Sequence, residues 1–119
     1  MISLAEKVKA LLSGLDAAVY YFHPQNWLRL PAIAWRESGS RELAQADGRE
    51  YLAELTYGVE IWSESAEANR DLSRRVDERM TSARFRRDFM ADQFDPGTGY
   101  YHRSLRYRAV ADAAGNIYQ

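Results

Sequence analysis

The sequence contains no cysteine. That excludes disulfides, thiol catalysis and thiolate metal sites, and it says little about compartment. Lysine is nearly missing as well, occurring only at Lys7 and Lys9, so positive charge is carried mostly by arginine. Arginine favours bidentate contact with carboxylates and phosphates. There is no excess of either sign: charged residues make up 28% and the formal net charge is −1. Total charge therefore gives no indication of a nucleic-acid protein. No apolar run is long enough for a signal peptide or a membrane span, which leads to the expectation of a cytoplasmic protein. Internal repeats and low-complexity stretches are missing too. What remains is a chain of 119 residues. This length suggests one domain, residues 1–119, that buries roughly two-thirds of its unfolded surface.

Residues 3–13 read as a helix. Ser3 and Glu6 have capping-box spacing, and Leu4, Val8, Leu11, Leu12 and Leu15 form one stripe. Gly14 suits the left-handed residue that ends a helix. Residues 18–22 and 32–38 read as strands, separated by a connection broken by Pro24 and Pro31. Residues 39–48 are polar and end in an Asp47-Gly48 turn signal. They are long for a hairpin loop, so a mobile or functional loop is expected. Residues 65–83 form a second helix, capped by Ser63 or Ser65. Ala68, Leu72, Val76 and Met80 make its stripe, with Asp71–Arg75 and Arg74–Glu78 at supportive spacing. Phe85, Phe89 and Phe94 lack clean periodicity, so 85–94 reads as a strand or an irregular extended segment. Residues 95–99 read as a turn, 100–111 as a strand, 112–115 as another turn, and "NIYQ" as a few more extended residues.

The stretch "YLAELTYGVEIW" (51–62) alternates apolar and polar, with Leu52 and Trp62 as exceptions on the polar face. Twelve extended residues reach roughly 40 Å, whereas a compact chain of this size is roughly 35 Å across. One end of this strand is expected to protrude, or Gly58 to let it bend. The order α-β-β-β-α-β-β, with hairpins, predicts an α+β fold: a mostly antiparallel sheet with two helices packed on one face. The other face would carry Leu52, Glu54, Glu60 and Trp62 beside His102, Arg106 and Arg108. If the two strands are neighbours, acids oppose arginines.

Signs of chemistry are few. His23 and His102 lack any metal or catalytic spacing, and no G-x-S-x-G occurs. Gly97-Thr98-Gly99 lacks the third glycine and the following helix of a phosphate loop. Asp92 and Asp95 do not match a calcium loop. The alternation of Tyr100, Tyr101 and Tyr107 with Arg103, Arg106 and Arg108 could stack single-stranded bases, but Tyr101 and Tyr107 fall on the core face. No catalytic residue, cofactor or metal ligand is assigned.

The segments "PAIAWRES", "YGVEIWSES" leading into the arginine-rich helix, "RFRRDF" and "YYHRSLRYRAV" resemble the tail terminator and tail completion proteins of long-tailed phages and prophages. The similarity extends over roughly residues 1–112. The matching residues are Pro31, Ile33, Trp35, Val59, Ile61, Trp62, Arg87, Tyr101, His102, Leu105, Arg106 and Tyr107. The resemblance implies a structural virion protein, made in the bacterial host cytoplasm and residing in the tail. It implies a ring of identical subunits, commonly six, on the end of the tail tube. The ring ends polymerisation and offers the head side a docking surface. Its partners would be itself, the tail tube protein and a head-completion or neck protein, with no enzymatic step and no cofactor.

A head-to-tail contact closes into a ring if its rotation closes, and opposite charges on two sides of a subunit suit it. The candidate subunit or tube contacts are Leu52, Glu54, Glu60, Trp62, Arg86, Arg87, His102, Arg103 and Arg106. Two other readings stay open at this point: a small ligand-binding or enzymatic α+β domain with a pocket between helices and sheet, and a single-strand nucleic-acid module.

Overall fold

The structure, a computed structural model, describes residues 1–23 and 29–118. Its elements are α1 (Ala5–Leu12), β1 (Ala18–Tyr21), β2 (Ala32–Ala46), β3 (Arg49–Ser63), α2 (Ala66–Ser82), β4 (Arg86–Asp95), β5 (Tyr100–Asp112) and β6 (Ile117–Tyr118). The strands make one sheet in the order β1-β2-β3-β5-β4, with β6 also on β5. Only β1 with β2 is parallel. The expected order is therefore present, with the two-residue β6 added at its end. The part of the 23–31 connection that holds Pro24 and Trp27 lies outside the described residues, as does Gln119 of "NIYQ".

The helices form on the predicted stripes. Val8 and Leu12 of α1, and Leu72, Val76 and Met80 of α2, join alternate residues of β3 and β5 in one cluster. Gly14 takes the left-handed conformation just after α1, at φ +71°. Ser65 caps α2 by accepting the Ala68 amide at 3.0 Å. The capping box at α1 does not form. Ser3 Oγ instead accepts from the Ala5 amide and donates to Glu37. Burial of Ile2 and Leu4 draws the chain start onto the core, which makes Leu4 the cap position. Ala68 is exposed, and the buried residue of that first turn is Asn69.

Two tyrosines tie the helices to the sheet. Tyr57 Oη accepts from the Leu4 amide and donates to Glu37, and Tyr107 Oη donates to Asp77 of α2 at 2.8 Å. Burial first, then the facing carboxylate, pushes both phenols above their ordinary range. These rings, with Phe85 edge-on to Tyr57, fill the space between helices and sheet. The space between those layers is packed core, and the hollow that borders both α2 and the sheet lies at its edge, by the start of β4.

The largest departure from expectation is at residues 39–48. They are not a loop. β2 continues to Ala46 and meets β3 through the two-residue turn Asp47-Gly48, both at positive φ. Tight hairpins favour that geometry. The apolar alternation is lost there because both faces of this end are open to water: nothing from Ser40 to Gly48 is buried. Polarity recorded exposure, not irregular backbone. Tyr51 shares this setting and is exposed, since β5 pairs with β3 only from Leu52 onward. The protruding end of β3 is therefore its N-terminal end. The molecule measures 52 × 27 × 23 Å, with a radius of gyration of 15.3 Å. That exceeds the 13–14 Å or so of a compact chain of this length.

Candidate functional site

The helices cover one face of the sheet and leave the other bare. Register defines the rungs of that bare face. Trp62 lies across from His102 and then Gln93. Glu60 lies between Ala34 and Ser104, and Gly58 between Arg36 and Arg106, with Phe89 beyond.

The first rung is aromatic. The Trp62 and His102 rings stack at 3.9 Å between centroids and 6° between planes, and His23 meets Trp62 edge-on at 5.5 Å. His102 Nδ1 lies 3.2 Å from Gln93 Oε1, and Nε2 lies 3.2 Å from Glu60 Oε2. The latter is a close approach without hydrogen-bond alignment. Burial opposes the charge on Glu60, but His102, Ser104 and Arg36 together outweigh it. The carboxyl consequently sits below its ordinary range.

The next rungs carry a chain of charges across four strands. Glu54 lies 3.5 Å from Arg41 and 3.6 Å from Arg108. Asp88 lies 2.6 Å from Arg108 and accepts from Arg106 Nε at 2.7 Å. Asp88 sits in a bulge between Arg87 and Phe89, and this extra residue is what sets its carboxylate between two arginines of β5. The Arg106 hydrogen bond leads in holding that carboxyl below its ordinary range. The Arg106 guanidinium also lies 5.2 Å over the Phe89 ring. Because Gly58 has no side chain, the face dips between Arg36 and Arg106. The resulting groove, of about 340 Å³, is also lined by Glu60, Phe89 and Phe22. A second hollow, of about 550 Å³, opens at the start of β4 among Arg84, Arg86, Arg87 and Arg108, with Glu54 and Asp77.

The sequence-predicted contacts divide between the two faces. Glu54, Glu60, Trp62, His102 and Arg106 gather on the bare face, with half-buried Leu52 at its end. Arg87 and Arg103 do not join them. Arg87 turns to the helix side, 3.5 Å from Asp77, and Arg103 holds Asp92 through two bonds at 3.1 and 3.0 Å. Arg86 makes no ion pair among the described residues. Acids and arginines do meet between β3 and β5, but diagonally, since Glu54 is directly opposite Val110 and Glu60 opposite Ser104. Sequence reasoning missed Asp88 and Asn69. Asn69 Nδ2 donates to the carbonyls of Ile61 and Tyr101, both at 3.0 Å, fastening the ends of β3 and β5 to α2. A lone asparagine in a polar helix turn gives no signal of that. Among the described residues no three potential metal ligands converge, and no helix is long and apolar enough to cross a membrane.

Fold and surface together define a small α+β protein with one sheet face left open and lined by aromatic rings and paired charges. The chain belongs to the tail completion protein gp17 family, whose model matches residues 3–112. This is a family of structural phage tail proteins, not a known enzyme family, and the chain is a tail component that works among other tail components. No curated protein matches the chain.

Proposed function

We propose that this chain, folded as one domain over residues 1–119, is the subunit of a six-membered ring. The ring seats on the end of the tail tube, stops its growth and joins it to the head. Family membership supports the setting, and the carrying observation is the shape. The β2–β3 hairpin extends past its neighbours along a 52 Å axis, beside a sheet face that no helix or strand among the described residues covers. In this reading the hairpin tip reaches the tube or the head-side protein. The bare face, with Leu52, Glu54, Glu60, Trp62, His102 and Arg106, meets those partners or the next subunit. Arg86 is a cation at the rim with no ion pair among the described residues, while Arg87 and Arg103 contribute through the helix-side flank. A catalytic step is no part of this role.

The test is to mix the purified protein with tail tubes and examine them by negative-stain imaging and native mass spectrometry. Six-subunit rings at tube ends, with tube length no longer increasing, are the expected result. A protein that remains monomeric beside tubes that keep growing would overturn the proposal.

A further inference from the structure

The sheet leaves several lengths of backbone edge without a neighbouring strand among the described residues, and the three longest differ in kind. The first is residues 36–46 of β2, which run on after β1 ends its pairing at Tyr21 with Trp35. Register breaks at Glu37/Gly39, Glu42/Ala44 and Ala44/Gln45, and Arg36, Glu37, Arg41 and Glu42 lie along it. Bulges and charges of this sort keep an open edge from pairing with another chain.

The second edge, β4, has no such protection over residues 89–95. Its pairing with β5 is unbroken from Phe89 to Asp95, it contains no proline, and Asp92 is already held by Arg103. Phe89, Met90 and Phe94 are between 46% and 52% exposed. The third edge, β1, closes the opposite end of the sheet and bears no charge. Val19, Tyr21 and the adjoining Phe22 are between 37% and 55% exposed. Of the ten large apolar residues left exposed among those described, six lie on these two edges. Phe22 adds a separate sign. Its backbone is left-handed at φ +63°, a costly conformation for an aromatic residue, yet the ring is turned to solvent.

We infer that β4 of one subunit pairs with β1 of the next, so that the sheet continues across the subunit boundary and a second copy of this chain covers both edges. This rests on the ring reading. Two unlike patches at opposite ends of the strand order are what a head-to-tail contact requires, whereas a twofold contact uses one patch and leaves the other bare. Among the described residues β1 bears no charge, and in the regular run of β4 Asp92 is held by Arg103 while Asp95, at its end, accepts from Gly97 and Thr98, so little repels the approach. The four half-exposed aromatics offer about 100 Å² each, and with Val19 and Met90 the six side chains supply roughly 500–600 Å². The paired backbones and flanking residues then bring the contact to the roughly 1,000 Å² expected of a specific interface. Hydrogen bonds along the strands give affinity, and the apolar side chains select the register.

The missing cysteines make the test direct. Val19 and Met90 both face the helix side. The double variant V19C/M90C, assembled on tail tubes and treated with a short bis-maleimide, is expected to give a ladder of covalent multimers up to the full ring. Each single variant is expected to stay monomeric on a denaturing gel. Rings without a ladder would overturn the edge pairing and leave the ring reading standing. Covalent dimers from M90C alone would mean that β4 pairs with itself, which also overturns the inference. If no ring forms with any protein, wild type included, both readings fall. As a second measure, Tyr21→Lys and Met90→Lys are expected to raise the concentration needed for assembly at least tenfold at an unchanged melting temperature. Unchanged assembly of both variants would count decisively against the pairing.

Discussion

Along β3, Ala53, Leu55, Tyr57, Val59 and Ile61 face the helices and are completely buried, whereas Glu54, Thr56, Gly58, Glu60 and Trp62 line the bare face and remain part-exposed. One strand thus serves two environments at a period of two. On the covered side, polar groups are few and each is held: Tyr57 by Leu4 and Glu37, Tyr107 by Asp77, Asn69 by two strand carbonyls. On the bare side they are many and pair across strands at the surface, where each ion pair contributes about 0.2–1 kcal/mol. The covered face holds the fold. The bare face can change its contacts at little cost to stability, which is what a surface for partners needs.

Substitutions can break this contrast in graded steps. Tyr107→Ala should have the largest effect, lowering stability by about 3–5 kcal/mol in urea titrations, since it removes a fully buried ring and leaves Asp77 without its donor. Asn69→Ala should cost about 1–3 kcal/mol by the same measurement, because the carbonyls of Ile61 and Tyr101 lose their side-chain donor in a buried setting. An Asn69→Ala loss well below that range would mean that water replaces the amide.

Asp112 offers a pH test at the end of the sheet. The Tyr118 hydroxyl first, then the Asn116 side chain and backbone, holds its carboxyl at about 2. A depressed carboxyl contributes stability that is complete above the ordinary range near 4 and is lost as pH falls toward 2. Melting temperatures between pH 5 and pH 2 should therefore fall more steeply for wild type than for Asp112→Asn. Parallel curves would argue against the assignment. The smallest effect on stability is expected at Arg86→Glu, within about 0.5 kcal/mol, because Arg86 is exposed and has no ion partner among the described residues. Ring assembly should nevertheless weaken. An unchanged assembly with an unchanged melt would remove Arg86 from the contact surface.

The covered face was legible in the sequence because burial leaves a period. The stripes at Leu4, Val8 and Leu12 and at Leu72, Val76 and Met80, and the odd residues 53–61 of β3 and 105–111 of β5, lie buried where their spacing predicts, whereas Tyr51 at the open end does not. Legibility ended where burial ended. Residues 39–46 are regular strand but bathed in water on both faces, so no alternation marked them. Phe85, just before β4, is core while Phe89 and Phe94 within it are exposed, so the apolar residues of 85–94 follow no single face. The bulge at Asp88 shifts the register as well, and a one-residue shift moves side chains to the other face. The bare face was named in composition but not in geometry. Alternation gave Glu60, Trp62 and His102 a common side, yet nothing in it foretold that Trp62 would stack on His102 or that Arg106 would find Asp88.

The pairing of β3 with β5 has a mechanical side. From Leu52 with Asp112 to Ser63 with Tyr101 the register runs without a break, while the β2–β3 pairing is interrupted three times. Antiparallel hydrogen bonds lie across the strand direction. A pull on the hairpin tip along β3 therefore loads that whole ladder at once, in shear, rather than one bond after another. Force entering at Gly48 is carried down the strand to the Ser65 cap and into α2. The subunit is built as a tension member, stiff along its length and yielding first at the β2 side of its tip.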